Sequence, residues 1–156
     1  MSNKKSSRRV GVKYFSLFIL IFSLTTTLLA DFSKSADIVT DSKTGLAWQD
    51  NNDTNGTERT WQEAIDYCET LDLDGHNDWR LPNINELKTI IDRTKTQPAI
   101  VNGFEYVGVN HEYIYWSSST YGGYKDGAWI IGFDYSYLNG VGKDNYRYVR
   151  YVRDGQ

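Results

Sequence analysis

Cysteine is almost missing from this chain of 156 residues: Cys68 stands alone. That excludes an intrachain disulfide, a thiolate zinc site and a CxxC redox motif. Histidine is nearly as scarce. His76 and His111 are the only two, each in a polar stretch, and neither stands in a metal-ligand spacing or beside a nucleophile motif. Paired carboxylates are no guide to a hydrolase here, because 20 acids make many pairs by chance. No catalytic function is expected.

Basic residues run short as well, once the N-terminus is set aside. Lys4, Lys5, Arg8, Arg9 and Lys13 form an acid-free head, Tyr14 to Leu24 is apolar except for Ser16 and Ser23, and a Thr-rich stretch ends in Leu28, Leu29 and Ala30. That order reads as a secretory signal peptide over residues 1–30, cut after Ala30, although Leu28 at the −3 position is not small. The competing reading is an uncleaved anchor, at the short limit for a span. No cysteine follows the apolar run, so a lipoprotein is excluded. The expected location is the periplasm or the extracellular space. Residues 31–156 keep all 20 acids but 12 of the 17 bases, a net charge of −8. A domain so acidic has no general attraction for nucleic acid or for an anionic membrane. Membrane contact is expected only through an uncleaved N-terminal segment.

What the chain does hold is periodic. Residues 31–37 read as a short polar leader before a domain over 38–154. Ile38–Thr40 and Leu46–Gln49 read as strands, with Trp48 in the core, and residues 50–58 as an Asn-, Asp- and Gly-rich loop. Thr60 and Glu63 form a capping box before a helix whose apolar face is Trp61, Ala64, Ile65, Cys68 and Leu71. Cys68 therefore faces the core, and an inert thiol is expected. Asn77 to Leu87, NDWRLPNINEL, reads as a fold-defining corner. Trp79 and Leu81 bury apolar surface, and Pro82 keeps Leu81 out of helical angles. Asn83 and Glu86 then cap a helix from Ile84 to about Asp92, with Leu87 on its inner face. Arg80 is expected to bond Glu86 or loop carbonyls.

Ten of the twelve tyrosines lie between Tyr106 and Tyr151, among short apolar runs broken by Gly and Asn. These predict strands and loops. Trp129, Ile131, Phe133 and Tyr135 alternate with Ala128, Ile130, Gly132 and Asp134, and Asn145–Arg153 reads as one last strand. Alternation there separates Arg150 from Arg147 and Arg153, so a structural pairing with acids is expected rather than an anion stripe. Strands, two helices and then many strands make an α+β domain.

The blocks TGLAWQD, TWQEAIDYCETL, DWRLPNINEL, YWSSSTY, AWIIGFDY and VRYVR stand in this order from about Ile38 to Arg153. Together they resemble the Lcl C-terminal domain family, a bacterial domain named from the end of a collagen-like adhesin. The resemblance implies a C-type-lectin-like fold, with two helices packed on small antiparallel sheets and terminal strands adjacent. It also implies an envelope or extracellular setting and glycan or glycosaminoglycan binding, without catalysis. Family members often carry a cysteine in the closing block that could pair with one in the first helix. Here that position is Tyr151. The collagen-like repeats are absent, and the acidic balance argues against carrying glycosaminoglycan binding over. The EPN, QPD and WND motifs of calcium-dependent lectins are missing as well, since Gln97 and Pro98 are followed by Ala99. The same fold hosts formylglycine-generating oxidases, whose chemistry needs two cysteines.

Two kinds of site remain. Asn51, Asp53 and Asn55 before Gly56 approximate half of a calcium loop, and Asp72, Asp74 and Asp78 cluster around Gly75. Calcium is thus the one cofactor the sequence allows, against the plainer reading of both as solvated turns. Tyr115, Ser118, Tyr121 and Tyr124 in YWSSSTYGGY, with Tyr135 and Tyr137, have the mixture of rigid rings and adaptable polar groups that suits recognition. Trp116 and Trp129 are expected in the core. The expected function is a glycan- or surface-binding, adhesin-like module. The alternative is a protein-binding or structural subunit of the bacterial envelope.

Overall fold

The computed structural model describes residues 31–108 and 113–155, so the expected signal segment and His111 lie outside the described residues. A four-stranded antiparallel sheet joins β1 (Phe32–Ser35), β2 (Ile38–Asp41), β3 (Leu46–Gln49) and the last strand, β9 (Val152–Asp154), in that order. The expected leader is therefore not a leader. Phe32 to Ser35 pairs along its whole length with Asp41 to Ile38, and Phe32 packs on the core.

The second sheet has the order β4 (Glu58–Arg59), β8 (Arg147–Tyr148), β5 (Ile114–Thr120), β6 (Gly127–Gly132) and β7 (Tyr137–Gly142). It is not wholly antiparallel, because β5 and β8 run parallel through the single pair Tyr115 and Tyr148. Asn145–Arg153 is consequently two strands in two sheets. The alternation survives the break: Val149 and Tyr151 enter one core cluster, Tyr148 and Val152 the other. The expected loop over residues 50–58 holds a short helix, α1 (Asn52–Gly56), followed by β4.

Both faces of the second sheet are covered. Tyr115, Ile131 and Phe133 meet Trp48, Leu87 and Ile90 in one cluster; Trp116, Ala128 and Ile130 meet Ala64, Trp79 and Leu81 in the other. Alternation along β6 thus sorts side chains between two interiors, not between core and water.

The two longer helices begin as their capping boxes dictate and end early. In α2 (Trp61–Cys68) the Glu63 carboxylate accepts from the Thr60 N–H at 2.8 Å. In α3 (Ile84–Thr89) the Asn83 side chain accepts from the Asn85 and Glu86 N–H groups at 2.9 and 3.0 Å, and Glu86 accepts from the Asn83 N–H at 2.8 Å. The expected extension to Asp92 fails because Ile91 pairs with Ile100 in a β-bridge. A β5 residue supplies an extra anchor, the Ser119 hydroxyl accepting from the Ile84 N–H at 3.0 Å.

The corner holds the last strand and β5. Arg80 pairs with Val152 through two backbone hydrogen bonds of 2.8 and 2.9 Å, and the Pro82 carbonyl accepts from Ser118 at 2.8 Å. The Arg80 guanidinium meets both Glu86 oxygens, at 2.8 and 2.7 Å. Burial alone would raise the Glu86 carboxyl, but the bonds from Arg80 and Asn83 outweigh it and hold it low. The Arg80 side chain keeps 42% of its surface in water, so the ion pair is screened and the cap dominates. Glu86→Ala is expected to lose about 1–2 kcal/mol in urea unfolding, and an unchanged midpoint would sink this reading of the corner.

Candidate binding site

The six candidate ligand residues do not form one surface. Tyr115 is fully buried, and its hydroxyl accepts from the Gly108 N–H at 2.8 Å. Burial pushes that phenol up to about 12. It is a core residue, and its assignment to a ligand is corrected accordingly. Tyr137 is half-buried, its ring lying where a side chain on Gly132 would stand, with Cε1 2.1 Å from the Cβ position. Ser118 is exposed in mid-strand.

Tyr121 and Tyr124 lie at the turn between β5 and β6, whereas Tyr135 lies at the turn between β6 and β7, the other end of those strands. Tyr135 is 65% exposed and its hydroxyl accepts from the Gln97 amide at 2.9 Å. Tyr121 packs edge-on against Trp129 with ring centroids 4.7 Å apart. Its ring covers Gly140, whose missing side chain makes the approach possible: a Cβ there would lie 2.3 Å from Cγ of Tyr121. Tyr121 and the half-buried Trp129 thus form one aromatic pair. Tyr124 is a separate ring, 53% exposed, with its Cδ1 2.7 Å from where a Cβ on Gly127 would stand.

Tyr124 stands at the mouth of an open cleft of about 390 Å³ shared with Lys125, Asp126, Lys143 and Asp144. Nothing local in the sequence marks Asp126, Lys143 and Asp144 as neighbours, since Asp126 and Lys143 stand seventeen residues apart. The link is backbone: the Lys143 N–H donates to the Asp126 carbonyl at 2.9 Å, and the Trp61 N–H donates to the Lys143 carbonyl at 3.1 Å. Trp61 is fixed in turn by its indole N–H on the Ser117 carbonyl at 2.9 Å. The Lys143 ammonium lies 3.7 Å from the centre of the Trp61 ring and donates to the Thr120 hydroxyl at 3.4 Å. Among the described residues, no ion pair joins Lys125 or Lys143 to Asp126 or Asp144. The cleft therefore offers one exposed ring beside two carboxylates outside any ion pair among the described residues, although Asp144 accepts from the Asn145 amide at 3.3 Å, and one of its ammonium groups is immobilised.

Four of the six calcium candidates are engaged elsewhere. Asn51 caps α1 by accepting from the Asp53 N–H at 3.2 Å, Asp53 pairs with Arg59 at 3.0 Å, and Asn55 donates to the Val107 carbonyl at 3.3 Å. Residues that fold into a helix cannot wrap an ion as a calcium loop does. Asp78 is held by Arg153 through bonds of 2.6 and 3.1 Å, while Asp72 and Asp74 are exposed. No group of three or more His, Cys, Asp or Glu among the described residues is placed to hold a metal ion. A chelator is expected to leave the melting temperature unchanged, and a downward shift of several degrees would restore calcium to the account.

The remaining structural residues stand inside. Trp48, Trp116 and Leu87 are fully buried, while Trp79, Leu81 and Pro82 are buried in the corner. Cys68 is half-buried, its thiol donates to the Ala64 carbonyl at 3.3 Å, and burial pushes it up to about 11. The Tyr151 hydroxyl donates to the same carbonyl at 3.0 Å. Arg150 and Asp50 form a fully buried ion pair at 2.9 Å. Asp50 also accepts from Lys34 at 2.6 Å and from the Glu105 and Tyr106 N–H groups at 2.9 and 3.0 Å. This hub ties the first sheet and the closing segment to the loop after Val101.

A family model for the Lcl C-terminal domain matches residues 37–153. The chain belongs to the Lcl C-terminal domain family. No curated protein matches the chain. In this Lcl C-terminal domain the corner, the two caps and the closing strand serve as scaffold, and Tyr124 lines an open surface cleft with two lysines and two aspartates.

Proposed function

We propose that this Lcl C-terminal domain is an exported, non-catalytic recognition module that binds a glycan at the β5–β6 end of its five-stranded sheet. The carrying observation is Tyr124, a half-exposed ring lining an open cleft with Asp126 and Asp144. A pyranose presents an apolar C–H face to such a ring and hydroxyl groups to the carboxylates. Two capped helices, two small sheets and a first and last strand in one sheet support a C-type-lectin-like reading of the architecture. The basic head and apolar stretch of residues 1–30 support export to the periplasm or beyond. Cys68, held as a thiol by burial, supports a role without nucleophilic chemistry.

A glycan array probed with the full chain and with its Tyr124→Ala variant tests this. Binding by the parent and at least about tenfold weaker binding by the variant is expected, the loss of one stacked ring. Tyr146→Ala, at an exposed tyrosine outside the cleft, serves as the control that retains binding. A blank array together with a defined partner from envelope extract would replace the proposal with the protein-binding reading.

A further inference from the structure

We infer that the glycan is an uncharged one, and that the cleft rejects sulfated and carboxylated chains; this rests on the glycan reading above and names the ligand class for the same site. The argument is the arrangement of charge. Lys125 and Lys143 are matched in the cleft by Asp126 and Asp144, so its net charge is zero. A sulfate or carboxylate entering the cleft finds as many carboxylates as ammonium groups along its lining, and it surrenders hydration to enter. Lys143 is the less available of the two. Its backbone is bonded at both N–H and C=O, and its ammonium is spent on the Trp61 face and the Thr120 hydroxyl.

The surroundings act in the same direction. Residues 31–156 carry a net charge of −8, so a polyanion approaches against the field of the domain. A neutral sugar feels neither penalty. Its hydroxyl groups can donate to Asp126 and Asp144, neither of which is committed to an ion pair among the described residues, while its C–H face covers Tyr124.

The experiment is competition and salt dependence with the full chain. Neutral oligosaccharides are expected to bind with an affinity that changes by less than about twofold between low and high salt, since no phosphate- or sulfate-like contact is released. Heparin is expected not to compete. Binding confined to sulfated or carboxylated glycans, falling tenfold or more with salt but still lost in Tyr124→Ala, overturns this inference and leaves the proposed function standing. Binding to no glycan overturns both.

Discussion

Asp50→Ala is expected to lower stability by about 3–5 kcal/mol, a large share of what holds a domain folded. Asp50 is wholly buried and receives four donors: the Arg150 guanidinium, the Lys34 ammonium and two backbone N–H groups. Removing the carboxylate leaves Arg150 charged inside the protein, facing the Gln49 and Tyr106 carbonyls and the Phe104 ring without an anion. Breaking a buried pair from one side costs far more than the pair contributes. Urea unfolding of Asp50→Ala, Arg150→Met and the double variant would separate these terms. The double variant is expected to recover part of the single losses; full additivity would deny that the two side chains act as a pair.

The same pair predicts how stability follows pH. Burial alone would raise the Asp50 carboxyl, but the Arg150 charge and the bonds from Lys34, Arg150 and the Glu105 N–H more than offset it, so it titrates below an ordinary aspartate. A depressed carboxyl contributes fully above the unfolded value, about pH 4, and its contribution fades as pH falls from there through the lower folded value. Unfolding free energy is therefore expected to decline below about pH 4, less steeply in Asp50→Asn than in the parent. Equal slopes in the two proteins would contradict this account of the hub.

Trp116→Ala is expected to cost about 3–5 kcal/mol, by the loss of a large buried ring and the cavity left behind. Trp116 is fully buried on the α2 side of the second sheet, with Ala64, Trp79 and Ile130 in its cluster. Its indole N–H donates to the Arg59 carbonyl at 2.8 Å, so the truncation also removes a partner from β4. Trp116→Phe keeps most of the apolar volume and loses that bond, so a loss near half is expected. Thermal and urea unfolding of both variants checks the order. A Phe variant as damaged as the Ala variant would shift the weight from packing to the hydrogen bond.

How much of this could be read in advance follows the range of the interactions. The caps at Thr60 and Asn83 are complete within four residues, and both form as their residues predict. The α+β order and the family could also be read from the ordered blocks. The expected end of α3 at Asp92 is cut short because Ile91 is claimed by Ile100, nine residues on. The closing run reads as one strand since its alternation is unbroken, yet Arg147 pairs with Arg59 and Val152 with Trp48, on different sheets. Tyr115 and Tyr124 are indistinguishable as letters in a Tyr-rich segment. One is sealed under Phe133 and Tyr148 and the other is open, and only pairing across β6 decides between them. The cleft's carboxylates escaped notice for the same reason: Asp126 and Asp144 meet through the β6–β7 register, not through spacing.

The central claim is that Tyr124 and its cleft neighbours are the ligand surface. Amide and aromatic NMR shifts, followed while a neutral oligosaccharide that binds on the array is titrated in, test it most directly. The account predicts the largest changes at Tyr124, Asp126, Lys143 and Asp144, transmitted to Tyr121 and Trp61, with Tyr135 and Tyr146 unmoved. Changes centred on Tyr135 and Gln97, or on Tyr146 and Glu58, with the cleft silent, would contradict it.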